Sequence, residues 1–214
     1  MALRAAAARL DLRWSIRLLD TYRVINAEMW RAYQRGEIDP ATLSRERFCR
    51  LLGAMGRDAA DGGVLAGAYI DALSQRGDVL PGGRSALLAV ARRARVGAVT
   101  NGIDRVQRAR LRAAGIERRF EVIVTSESCG FAKPDPRILH QALGELRASP
   151  GEAAYVGDDA HADGGAAQAA GVRFWWIDRG LGGAPPPVMD QRLTSVRDVA
   201  ALLGADGAAR PRLR

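Results

Sequence analysis

From Pro81 to Ile177 the chain repeats one pattern: a short apolar run, a polar loop and a helical segment. ALLAVARRA (86–94) has helical texture, and VGAVT (96–100) reads as a buried strand closed by the turn residues Asn101 and Gly102. A helix then runs to Gly115, and FEVIVT (120–125) is the second strand. After the loop SESCGFAKPDP, Asp135-Pro136 is a cap and first-turn signal. Ile138, Leu139, Ala142, Leu143 and Leu146 line one face of the helix that follows. AAYVG (153–157) is the third strand, a helix of very small residues comes next, and RFWWI (173–177) is the fourth. Ser195 opens a last helix through Val196, Val199 and Leu203. Strands that alternate with helices pair in parallel and are covered on both faces. The expected class is α/β, a Rossmann-like parallel sheet sandwiched by helices. In such a sheet ligands sit at the carboxyl ends of the strands.

The first 78 residues have a different texture, with no convincing buried strand. Helical spacing fits Leu10, Trp14 and Leu18, then Tyr22, Ile25 and Met29, and again Phe48, Leu51 and Leu52. Ile38-Asp39-Pro40 is a break, and Ser44 is the expected cap of the next helix. LDLRWSIRL also alternates with period two, which suits a half-exposed strand. Helix is favoured because the apolar positions continue at helical spacing beyond it. The expected organisation is a small all-helical domain over 1–78, an α/β core over 79–204 and a flexible tail over 205–214.

Of the 214 residues 48% are hydrophobic, enough for a core in one large domain or in a domain plus a smaller one. No apolar run approaches the roughly 20 residues of a membrane helix, and the N-terminus MALRAAAARLDLRW lacks the apolar segment and cleavage site of a signal peptide. Cys49 and Cys129 have no metal-type spacing and read as free thiols of a reducing compartment, so a cytoplasmic location is expected. The formal net charge of +8 is carried by scattered arginines, without a basic stripe or a nucleic-acid motif. Neither a membrane nor a nucleic acid is the expected partner.

Three loops fall at one edge of the expected sheet. The first offers the Thr100 hydroxyl, the Asn101 amide and the Gly102 backbone at a helix opening, a phosphate cradle. The second offers Lys133, held by a following proline. The third, YVGDDAHAD, offers the carboxylates Asp158, Asp159 and Asp163 to a metal. Taken singly, the first is a turn, Lys133 is a surface lysine and Asp158-Asp159 is a helix cap. Together, in this order after successive strands, they form a kit for phosphoryl transfer, whose work is positioning and charge neutralisation. His161 reads as an exposed loop histidine.

The order T-N-G, then K-P, then G-D-x-x-x-x-D with small residues behind it resembles the haloacid dehalogenase superfamily of hydrolases. The resemblance covers about 20 to 205. The helical region YRVINAEMWRAYQRGEI is similar to the helical cap of the branch that contains pyrimidine 5′-nucleotidases. The resemblance implies that Thr100 (with Asn101 and Gly102) binds phosphate, that Lys133 stabilises the charged intermediate, and that Asp158 and Asp163, with Asp159 as a further candidate, hold Mg²⁺. It implies a small phosphomonoester as substrate, a nucleoside monophosphate among the candidates.

One departure stands against this agreement. The family's nucleophile is the first Asp of a D-x-D-x-T motif on the first strand, and its second Asp is the general acid/base. No such motif occurs among the 214 residues. Matched against the family, Met1 falls inside the first cap helix, so the first strand, central in the family's sheet, is expected to be missing through a start-site error, a truncation or a real loss. Such a chain is expected to be inactive or very slow and to offer open sheet edges for self-association. Two other readings follow: a non-catalytic phosphate-binding or interaction protein, and a 2-haloacid dehalogenase, against which the carboxylates after Gly157 speak.

Overall fold

The computed structural model describes residues 2–180 and 184–205. They divide between Gly77 and Asp78 into two compact units.

The N-terminal unit holds α1 (Ala2–Ala8), α2 (Ile16–Gln34), α3 (Pro40–Ala54) and α4 (Gly62–Ser74). The expectation of one helix through Leu10, Trp14 and Leu18 is corrected here. α1 ends at Ala8, Asp11 takes a left-handed φ of 51°, and Leu12 N–H returns to Ala7 O at 3.0 Å. The chain starts again only at Ser15, whose hydroxyl accepts from Leu18 N–H. The break at Ile38-Asp39-Pro40 is present, but Ser44 lies inside α3. Asp39 caps that helix, accepting from Thr42 N–H at 2.7 Å, and Pro40 fills the first turn, where no N–H is needed. Phe48, Leu51, Leu52 and Leu65 are fully buried between these helices. Gly62 lets α4 approach α3, since a Cβ there would lie 2.8 Å from the Cys49 backbone nitrogen.

The second unit runs α5 (Gly83–Ala91), β1 (Gly97–Thr100), α6 (Asp104–Ala113), β2 (Val122–Thr125), α7 (Ser126–Cys129), α8 (Arg137–Leu146), β3 (Ala154–Gly157), α9 (Ala162–Ala170), β4 (Arg173–Ile177), β5 (Gln191–Leu193) and α10 (Val199–Ala205). Every strand pair is parallel, as the alternation requires. β1 pairs β2 with Thr100 opposite Thr125, and β3 pairs β4 with Gly157 opposite Trp176. β5 was not expected: its three residues, Gln191, Arg192 and Leu193, carry no apolar run, and only Leu193 is buried. Ser195 caps the last helical segment through Arg197 N–H. The expected tail lies, from residue 206 on, outside the described residues. Among the described residues no helix is long and apolar enough to cross a membrane.

The strands form two separate ladders, β1-β2 and β3-β4-β5. Among the described residues, no strand pairs with the second edge of β1 or of β3. β1 and β3 are half-buried along their whole length, whereas β2 and β4 are mostly buried. The Tyr155 hydroxyl of β3 spans to Val99 O of β1 at 3.3 Å.

Candidate active site

The three loops singled out in the sequence meet at the carboxyl ends of β1, β2 and β3. Asn101 ties the first to the second. Its Nδ2 donates to Lys133 O at 3.0 Å, and its Oδ1 accepts from Lys133 N–H at 2.8 Å. Its amide therefore holds the Lys133 backbone from both sides. Gly102 N–H is also engaged, donating to Ser126 Oγ at 2.9 Å. This loop still presents the half-buried Thr100 hydroxyl to a ligand, since that group makes only a long 3.3 Å donation to Asn101 O.

Lys133 is buried. Its Nζ donates to Asp163 Oδ1 at 2.6 Å and to the Tyr155 hydroxyl at 3.0 Å. An ammonium carries three donors, so one remains. Burial works against the charge, but Tyr155 and Asp163 outweigh it and push the Lys133 pKa above the ordinary lysine range. Burial pushes the Tyr155 phenol up, and Asp163 adds to the rise despite Lys133. The site thus holds a fixed ammonium beside a neutral phenol. The Tyr155 hydroxyl also lies 3.1 Å from Asp163 Oδ1, and its ring stacks on Phe174.

Asp163 is 4% exposed, and both its oxygens are occupied. Oδ1 takes Lys133 and Tyr155, while Oδ2 accepts from Asp158 N–H and Asp159 N–H, each at 3.0 Å. The carboxylate therefore ties the acidic loop to the lysine. Gly157 is needed for this, because a Cβ there would lie 2.3 Å from Asp163 Oδ2. Asp159 Oδ1 accepts from His161 N–H at 3.0 Å and Ala162 N–H at 2.8 Å, a cap on α9. Asp158 is anchored through its carbonyl by Trp176 Nε1 at 3.2 Å, and its half-exposed carboxylate accepts from Arg179 Nη1 at 2.9 Å. His161 is exposed. Among the described residues, no three His, Cys, Asp or Glu side chains converge to hold a metal ion. Asp158 is the acidic group of the loop whose carboxylate faces outward, so these residues alone do not complete an Mg²⁺ site.

Sequence reasoning missed Tyr155, Ser126 and Arg179. Tyr155 had a signal: a phenol on a buried strand, two residues before Gly157, needs a partner for its hydroxyl. Arg179 had none.

The family model of the haloacid dehalogenase-like hydrolases matches residues 3–171. The chain belongs to that family. The phosphoserine phosphatase of Thermus thermophilus is 40% identical over 102 residues, which is 47% of this chain and 41% of that protein. The pyrimidine 5′-nucleotidase YjjG of Escherichia coli is 32% identical over 159 residues, 73% of this chain and 69% of that protein. The chain thus spans less than half of the first relative and about two thirds of the second. The magnesium-bound crystal structure of the hydrolase YfnB from Bacillus subtilis superposes with a TM-score of 0.87 at 24% identity, covering 94% of this chain and 89% of that one, a likeness of fold.

Proposed function

We propose that the Thr100–Lys133–Asp158 site binds the phosphoryl group of a small phosphorylated metabolite and serves its hydrolysis, with a pyrimidine nucleoside monophosphate as the leading candidate. The observation that carries the reading is the buried Lys133 ammonium, kept charged by Asp163 and Tyr155 and pinned to the Thr100 loop by Asn101. A buried cation with one donor to spare suits a group whose negative charge grows during reaction. In this reading the Thr100 hydroxyl donates to one phosphoryl oxygen and Lys133 Nζ neutralises another. Asp163 and Tyr155 hold the lysine in place, and Asn101 holds its backbone.

Mg²⁺, which the family implies, would neutralise phosphoryl charge. Asp158 is the residue of this chain offered to it, and further oxygen ligands are needed. In the family's chemistry a carboxylate attacks phosphorus, the alcohol leaves, and water then releases phosphate and restores the carboxylate. The 214 residues hold no D-x-D-x-T to provide that nucleophile. A second reading is that the site binds phosphate without turning it over.

The test is hydrolysis of p-nitrophenyl phosphate and of a pyrimidine nucleoside monophosphate, with and without Mg²⁺, for the chain supplied with the motif. Lys133→Ala should slow it by about 10²–10³-fold, the scale on which one preorganised donor contributes. An unchanged rate removes Lys133 from the chemistry. Phosphate binding without turnover in the supplied chain selects the second reading.

A further inference from the structure

The N-terminal unit buries a guanidinium that has no counter-ion among the described residues. Arg47, on α3, is 8% exposed. Its Nη1 donates to Asn26 Oδ1 of α2 at 2.9 Å. Its carbon Cζ lies 4.9 Å from the ring centroid of Phe48 and 5.3 Å from that of Tyr69, which is on α4. Nε is buried without an acceptor, and Nη2 donates to no described residue. Burying a charge without an anion is costly. The neighbouring phenol does not supply one: burial pushes the Tyr22 pKa far up, against the pull of Arg47, so Tyr22 stays neutral.

The two idle nitrogens form the edge with which arginine grips an oxyanion side-on, through two parallel hydrogen bonds. This same chain uses that edge elsewhere. Arg35 Nε and Nη2 take the two oxygens of Glu37, and Arg137 takes those of Asp135, Nε on Oδ1 and Nη2 on Oδ2. Both of those pairs are formed at the surface. At Arg47 the edge meets no acceptor among the described residues, with Nε buried, while Asn26 fixes the opposite nitrogen. Cation–π contact with two rings lowers the cost of burial but leaves the buried Nε–H without an acceptor. The half-buried Tyr69 ring also walls a cavity of about 290 Å³, together with Tyr22, Leu19 and Leu73 and with Arg23 among its lining.

We propose that Arg47, braced by Asn26, is the anchor of an anion site within the N-terminal unit, taking the carboxylate or phosphate of a small metabolite on its Nε–Nη2 edge. The site is separate from the one at Lys133 and does not rest on the reaction proposed there.

The test is an NMR titration of the full ¹⁵N-labelled chain at constant ionic strength, one arm with inorganic phosphate and one with acetate. The Arg47 Nε–H signal is identified in the unsubstituted protein by its contacts to the Phe48 and Tyr69 ring protons, so no variant is needed to read it. It should move saturably in the millimolar range with at least one anion, and the arm that saturates first tells phosphate from carboxylate. Arg47→Lys, which keeps the charge but loses the side-on edge, should weaken binding about tenfold, in line with one charged hydrogen bond. Asn26→Ala should weaken it too and serves if Arg47→Lys does not fold. Lys133→Ala should leave the Arg47 shift unchanged. A shift that follows salt linearly, or that matches the signals of exposed arginines, is an ionic effect only and overturns the site. So does a shift that disappears in Lys133→Ala.

Discussion

Lys133 Nζ lies 2.6 Å from Asp163 Oδ1, and both residues are buried. Breaking a buried pair by removing one partner leaves a charge without compensation, at a cost of about 3–5 kcal/mol. Asp163→Ala should destabilise by about that amount, since it also strips the acceptor from Asp158 N–H and Asp159 N–H. Lys133→Met should cost less, because those two N–H groups still compensate the carboxylate. The loss in the double variant should be well below the sum of the two single losses. Urea unfolding of the four proteins measures the coupling, and additive losses would contradict the pairing.

The same pair fixes a pH dependence. The Lys133 pKa is raised in the folded state, so above the ordinary lysine value of about 10.4 the folded chain binds more protons than the unfolded chain. The stability this contributes is full below that value and is lost as pH rises through the raised range. Tyr155, pushed up by burial, acts in the same direction above about pH 10, where an unfolded tyrosine begins to ionise. Tm measured from pH 8 upward should therefore fall more steeply above about pH 10 in the parent chain than in a Lys133→Met, Tyr155→Phe variant. Parallel curves would show that the two groups titrate alike folded and unfolded.

Asp158 and Asp159 are neighbours with separable roles. Asp159 caps α9, so Asp159→Ala should lower stability by about 1 kcal/mol while phosphate binding persists. Asp158 is half-exposed and paired with Arg179 at the surface, an arrangement contributing about 0–1 kcal/mol. Asp158→Asn should thus melt almost as the parent does, yet abolish the Mg²⁺ response in a chain carrying the family's first motif. Isothermal titration with Mg²⁺ beside thermal melts separates the two. A parental Mg²⁺ titration in Asp158→Asn removes it from the metal, and a large loss of Tm there gives it a structural role instead.

What could be read from sequence followed the physics of each signal. The parallel strands of the second unit were visible because buried strands are continuous apolar runs between turn residues. β5 was not, since Gln191-Arg192-Leu193 is held by pairing with β4 rather than by burial. Helical spacing misled at Leu10–Leu18, where a left-handed Asp11 and the Ser15 cap break a pattern that periodicity alone continues. At the site, the three loops singled out in the sequence come together because parallel strands deliver them to one edge. The sequence could not say which way each carboxylate turns. Asp158, Asp159 and Asp163 look alike in sequence. Only the fold shows Asp163 turned inward to Lys133, Asp159 turned to its own helix and Asp158 turned out.

The last prediction concerns the edges of β1 and β3. Both strands are half-buried, and their second edges pair with no strand among the described residues. An unpaired edge presents backbone N–H and C=O groups in a row, and each such group left unmet when buried costs about 1–3 kcal/mol. The Tyr155 hydroxyl reaches one of them, Val99 O, at 3.3 Å, but it shares its single proton with Asp163 Oδ1. A strand inserted between the two ladders would meet several at once and bring its last residues beside Thr100 and Lys133. We therefore expect that extending the chain before Met1 with about 20 residues, an apolar strand ending in D-x-D-x-T plus its loop, raises Tm by several degrees or more. It should also raise the rate on p-nitrophenyl phosphate with Mg²⁺ by orders of magnitude, because a positioned carboxylate replaces undirected water. A control in which the first Asp of the added motif is Asn should keep the gain in Tm and lose the gain in rate. If the extension changes neither, the gap between the ladders is not a strand site. If it raises Tm alone, with Asp and Asn forms equally slow, the site binds phosphate and does not hydrolyse it.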